Sequence, residues 1–260
     1  MRFSDLLASA RETDGAWTTA VPEDWMQGRS AFGGLQGALA VRAMRSCVPP
    51  DVPLRVLQMT FVAPAAGDVS VRPRVLRAGK SATHVEARVT GGGEVSAVAV
   101  GVFGRGRPSV VSLVPHVPPV PPDEAIRARP VRPERIHFTK HFTMRWLRGQ
   151  PPFTGSRAPG AVVEVGIDDV GPMREEHLIA ITDAIPPLAL SWLDTPSFGS
   201  SVTWSFELLR DSFDGLPLEG WVLHAELTAG RDGYTNQSVS VCAPDGSVAA
   251  LSRQCMVVFG

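Results

Sequence analysis

The chain has 260 residues, 44% of them hydrophobic and 20% charged, with a formal net charge of -1. A chain of this size and make-up can bury a real core in one large domain or two small ones, and its balanced charge gives no electrostatic argument for nucleic acid or an anionic membrane surface. Residues 1–17 lack an apolar stretch long enough for a leader or a membrane span, and Cys47, Cys242 and Cys255, odd in number and in apolar settings, read as reduced thiols of a cytoplasmic protein.

In chain order, residues 16–21 predict a first strand that stops at Pro22. Residues 35–48 then keep a helical period: Leu35, Leu39, Ala40, Ala43 and Met44 form the apolar stripe, and Arg42 and Arg45 lie off it. The small residues Gly37, Ala38 and Ala40 suit close approach of a sheet to this helix. Pro49-Pro50 ends it. Four β-type runs follow, at 54–62, 69–77, 82–90 and 95–104, with a turn at Gly91-Gly92-Gly93. They predict a four-stranded antiparallel meander with the helix across one face.

The composition then changes. Eight prolines fall between 105 and 135, which reads as a stiff extended connector. Beyond it, 137–147 and 161–167 predict strands and 177–193 predicts a second helix. Pro186-Pro187 should kink or divide that helix, because each ring removes an amide donor. Strands follow at 201–209, 221–229, 234–242 and 247–258. Helix plus four strands therefore occurs twice, at an offset of about 150 residues, allowing for the usual uncertainty in element ends. The division expected is 1–107, a proline-rich linker at 108–135, and 136–260.

Most familiar motifs fail. Gly28-Arg29-Ser30-Ala31-Phe32 lacks the second glycine of a nucleophile elbow. Gly79-Lys80-Ser81 resembles the end of a phosphate loop, but Arg74 stands where the first glycine belongs. The six histidines form no metal-ligand cluster in sequence. Two polar residues stand out instead. Asp183 interrupts the apolar run Leu178, Ile179, Ile181, Ile185, and either faces solvent or is buried with a partner. Gln254, on the face of its strand shared by Ser252 and Met256, needs partners too. Simple alternation puts Ser201 and Thr203 on one face of the 201–209 strand and Val202, Trp204 and Phe206 on the other.

A helix wrapped by an antiparallel sheet, twice over, is the double hotdog arrangement, an α+β fold. Phe32-Gly33-Gly34, Gln36-Gly37-Ala38-Leu39, Phe61 with Pro64, Gly67-Asp68 and Arg77-Ala78-Gly79-Lys80-Ser81 resemble TesB-like acyl-CoA thioesterases, the thioesterase II family. Thr182-Asp183-Ala184 with Pro186-Pro187, Asp245-Gly246 with Val248-Ala249, and Gln254 recur in that family's order, so the resemblance spans nearly the whole chain. It implies hydrolysis of an acyl-CoA by water, with no covalent intermediate, metal or cofactor. It also implies a catalytic set of Asp183, Gln254 and a hydroxyl, at Ser201 with Ser200 next. Gly33 and Gly34 stand as candidate amide donors, Arg77 and Lys80 as candidate phosphate contacts, and Leu35, Leu39 and Trp204 as an acyl pocket. Exposed sheet edges suggest a homo-oligomer. Two other readings stay open: a hotdog enoyl-CoA hydratase, which wants an Asp and His pair that His177 is poorly spaced to complete, and a non-catalytic acyl-CoA-binding protein.

Overall fold

The computed structural model describes residues 1–121, 129–130 and 136–259. Part of the proline-rich connector therefore lies outside the described residues. In chain order the first half contains α1 (Phe3–Ser9), β1 (Arg11–Thr13), β2 (Ala16–Ala20), β3 (Met26–Gln27), β4 (Ser30–Ala31), α2 (Gly33–Met44), β5 (Leu54–Phe61), β6 (Asp68–Ala78), β7 (Thr83–Gly91) and β8 (Glu94–Phe103). Then come β9 (Arg129–Pro130), β10 (Phe142–Arg148), β11 (Gly160–Ile167), α3 (Glu175–Asp183), β12 (Gly199–Leu208), β13 (Trp221–Arg231), β14 (Tyr234–Cys242) and β15 (Val248–Val258). Both expected helices are shorter than their periodic segments. Arg45–Cys47 tightens into a 3-10 turn after α2, and beyond the double proline the chain resumes as a 3-10 turn at Leu188–Trp192. The start of the expected 137–147 strand is a further 3-10 turn, His137–His141.

Among the described residues, thirteen strands form one antiparallel sheet in the order β1-β2-β6-β7-β8-β5-β12-β15-β14-β13-β11-β10-β9. The expected four-strand meander is corrected here. β6, β7 and β8 do run as a meander, but β5 lies beyond β8 and away from β6, and β12 is placed likewise next to β15. The reason is hydrogen bonding. β8 is rich in Val and Ala on both faces, and as an edge it would expose a row of unpaired amides and carbonyls. β5 covers it, and β5 and β12 then pair with each other from Val56↔Glu207 to Thr60↔Thr203, joining the halves into one sheet. Each half is a helix held in the curve of an antiparallel sheet, and the whole is a double hotdog.

α2 is buried nearly all round, as expected for a helix apolar on every side. The sheet covers one side and α3 covers the other. The small residues of α2 allow close approach of both the other helix and the sheet. A methyl group on Gly34 would sit 3.0 Å from Ala180 Cα and 2.7 Å from the Phe32 ring. One on Gly37 would meet Ile179 at 3.0 Å, Trp204 at 3.1 Å and Met59 at 3.2 Å.

α1 is tied to the second half by a buried polar knot. Asp169 accepts the backbone N–H and the hydroxyl of Ser4, both at 2.8 Å, and faces His177 Nε2 at 3.1 Å. Arg174 N–H donates to His177 Nδ1, which puts the ring proton on Nε2, toward Asp169. Burial pushes the His177 pKa down, keeping the ring neutral. Burial alone would raise the Asp169 carboxyl, but hydrogen bonds from Val170, Ser4 and His177 outweigh it and hold the group below its ordinary value. None of the three cysteines is in a disulfide; Cys242 is buried, whereas Cys47 and Cys255 are only half-buried.

Gly34→Ala tests the helix contact. Alanine gains about 1 kcal/mol of helix propensity over glycine, but the methyl group meets backbone at Ala180, where overpacking costs about 1–3 kcal/mol. The expected outcome is a net loss of stability in chemical denaturation, with the midpoint moved to lower denaturant and the m-value unchanged.

Candidate active site

Asp183 is the last residue of α3, which ends there because Pro186 and Pro187 supply no amide hydrogens to continue it. The crossing of the helices carries this carboxylate to the start of α2. The Gly34 amide lies near enough to favour the ionised form of Asp183, and a methyl on Gly33 would lie 2.7 Å from Asp183 Oδ2 and 3.3 Å from the Phe61 ring. Asp183 therefore sits against the N-terminus of a helix of the other half. Its own helix presents a negative end to it and α2 a positive one, so only the second favours ionisation.

Gln254 completes the arrangement. It is 6% exposed, on the inner face of β15, and its Nε2 donates to Asp183 Oδ1 at 2.5 Å. The Asp183 residue keeps some open surface, yet protein packs closely around its carboxyl. Burial raises the pKa from 3.8 to about 7, against the opposing pull of the Gln254 and Gly34 donors. A carboxyl titrating near neutrality beside a rigid amide can take a proton from water and return it.

The structure thus brings Asp183, Gln254, Gly33 and Gly34 together and resolves the open question of which way Asp183 faces. Ser201 is placed less simply. A bulge between Ser201 and Thr203 breaks the alternation of β12: Ser201 pairs with Met256, and Thr203 with Cys255. Ser201 therefore joins the inner face of buried Met256, and Thr203 is exposed, so the two do not share a face as simple alternation implies. No hydrogen bond joins the Ser201 hydroxyl to Asp183 or Gln254 among the described residues, and its row is two residues along β15 from Gln254, roughly 7 Å. Ser200 is exposed, its hydroxyl turned to the Ser201 carbonyl at 3.4 Å.

Arg77 and Lys80 are not brought to the site. Arg77 lies in the cross-strand row His84, Val102, Val56. Phe61 is five residues further along β5, roughly 17 Å, and three strands away. Both cations are exposed near the β6–β7 turn. Leu35, Leu39 and Trp204 are packed in the core, and Trp204 Nε1 donates to Ser252 Oγ at 2.8 Å. His177 is committed to Asp169 and does not face Asp183. No group of metal-binding side chains occurs among the described residues, and no helix among them is long and apolar enough to cross a membrane.

One polar residue of this region escaped the sequence reading. Gln237 lies directly opposite Gln254 on β14 and accepts Leu188 N–H at 2.8 Å. Its signal was the one that marked Gln254: a glutamine sharing a strand face with Val239 and Val241. The placing of Asp183 against α2 left no local sign, since the partners lie in different halves.

Known proteins resemble this chain along its whole length. Residues 21–104 match the model of the acyl-CoA thioesterase N-terminal domain, and residues 116–258 that of the C-terminal domain. Among solved structures, a conserved hot dog fold protein of unknown function from Alicyclobacillus acidocaldarius superposes with a TM-score of 0.87 at 22% identity, covering 99% of this chain and 98% of that one. The acyl-CoA thioesterase II TesB2 from Mycobacterium marinum gives 0.74 at 14% identity, covering 100% and 97%. The tesB protein of Mycobacterium avium subs paratuberculosis gives 0.78 at 12%, covering 100% of both. No curated protein sequence matches the chain. At these identities the structures speak to the fold; the two family models speak to descent. The chain belongs to the acyl-CoA thioesterase family and is a thioester hydrolase.

Gln254→Met removes the side-chain donor that favours the ionised form of Asp183. The carboxyl is then expected to titrate above its present value of about 7, measurable by carbon-detected NMR of the Asp183 carboxyl across pH 5–9 (roughly the titration window).

Proposed function

We propose that the protein hydrolyses an acyl-CoA by water activated at Asp183. The observation that carries this is the buried Asp183–Gln254 pair at the head of α2, with a pKa of about 7. Ionised Asp183 takes a proton from a water as its oxygen adds to the thioester carbonyl. The tetrahedral species collapses, the carbon–sulfur bond breaks, and the proton passes from Asp183 to the departing CoA sulfur. Gln254 fixes the carboxyl so that one oxygen stays free for the water. Ser201, on the inner face but two residues from the pair's row, stands as a more distant hydroxyl for orienting that water or the substrate. Gly34 acts through Asp183, whose ionised form its amide favours. The division at 1–107 and 136–260, around a connector at 108–135, is kept in this reading. The family models support two halves, though the second reaches back to 116.

The test is release of free thiol from acyl-CoAs of several chain lengths. Asp183→Asn is expected to lower kcat by about 10²–10⁴-fold; unchanged turnover would sink the assignment.

The pH dependence follows from the same group. A base must be ionised, so kcat/KM should rise with pH through a midpoint of about 7. Stability should move the opposite way. The folded-state pKa is raised from 3.8, so the folded form prefers the protonated acid, and stability falls as pH climbs from about 4 to about 7. At roughly 1.4 kcal/mol per pH unit, the upper bound on that loss is about 4 kcal/mol, lessened by the open surface of the residue. Asp183→Asn escapes it, and its Tm at pH 8 should exceed that of the wild type while activity is lost.

A further inference from the structure

Gln237 is 1% exposed, and only half of its amide is used. Its Oε1 accepts Leu188 N–H at 2.8 Å, which fixes the orientation of the group, since an N–H must meet the oxygen. Its Nε2 has no hydrogen-bond partner. A buried donor left unpaired costs about 1–3 kcal/mol, so it calls for a reason. On β14 it stands opposite Gln254, and directly opposed side chains begin about 5 Å apart at Cβ. Two residues along the same inner face, the Thr235 hydroxyl is also buried and without a partner. Thr235 lines a cavity of about 360 Å³ whose walls include Ala189, Trp192, Leu193, Leu227 and Tyr234. A row of unpaired polar groups thus runs from an apolar cavity to the Asp183–Gln254 pair.

Attack on a thioester leaves negative charge on the carbonyl oxygen, which needs a donor. The Gly34 amide already serves to favour the ionised Asp183, and Gln254 spends one donor there. We propose that Gln237 Nε2 is a catalytic donor to the thioester carbonyl oxygen, and that the substrate reaches it from the cavity at Thr235. This rests on the water-attack reading given above. As water oxygen bonds to the carbonyl carbon, the C=O pair moves onto oxygen and is held by the Gln237 amide. When that pair returns, the carbon–sulfur bond breaks and the amide is free again.

Two variants separate this role from the bond to Leu188. Gln237→Glu keeps an acceptor oxygen for Leu188 N–H and loses the amino group; Gln237→Met keeps the length and loses both. Thiol release from an acyl-CoA should show kcat lower by about 10²-fold in each, with KM within about threefold of wild type and, in the methionine variant, the pH midpoint of kcat still near the Asp183 value. Thermal melts establish that each variant is folded at the assay temperature. Wild-type kcat in either variant overturns the proposal, and so does a loss confined to KM. Failure of the base reading appears separately, as turnover retained by Asp183→Asn with Gln237 intact.

Discussion

The contact on which the rest of this molecule depends is a carboxylate shared between two helix ends. Asp183 closes α3 and lies against the start of α2, and the two helices belong to different copies of a duplicated unit. For the carboxylate to reach the amide of residue 34, the helices must cross almost backbone to backbone. Gly33 leaves room for Asp183 Oδ2, and Gly34 leaves room for Ala180. The same crossing removes the carboxyl from water and raises its pKa. Helix packing, burial and proton affinity are therefore one arrangement seen at three scales.

The duplication is not repeated in its chemistry. At the other end of the helix pair, the start of α3 meets the tail of α2, and there Glu175 is gripped by Arg45 through two contacts of 2.6 Å. A carboxylate held by a bidentate guanidinium has both oxygens occupied and none left to meet a water. The two ends differ in what the helix partner supplies: a pair of glycines at one, an arginine at the other. One copy thus provides the acid and the amide, and the other the helix start that receives the acid.

The periodic segments were legible in the sequence because local patterning dictates them. Both helices, the double-proline break, the eight repeat strands and the isolation of Asp183 and Gln254 among apolar neighbours follow from alternation, helical period and the missing amide of proline. Pairing order was not legible. The placement of β5 beside β8 and β12 depends on which edges must be covered, a property of the assembled sheet. The bulge that turns Ser201 inward leaves no mark in Ser200-Ser201-Val202-Thr203, where any of the residues fits an extended chain. Arg77 and Lys80 drew attention through a turn motif, but a motif fixes local shape and says nothing of distance to a carboxyl in the other half. Gln237 was available to the same reasoning that found Gln254, by its position on an apolar strand face.

The seam between β5 and β12 bears on how freely the connector can change. Five paired residues lock the lateral position of one half against the other through backbone geometry alone. The segment that joins the halves along the chain does not have to hold them in place. Closing a longer loop between ends already fixed costs only about 0.6 kcal/mol per doubling of its length. The spacing of Asp183 from Gly34 is thus insulated from the length of the connector after β8, which can take an inserted sequence while the distances at the carboxylate stay as they are.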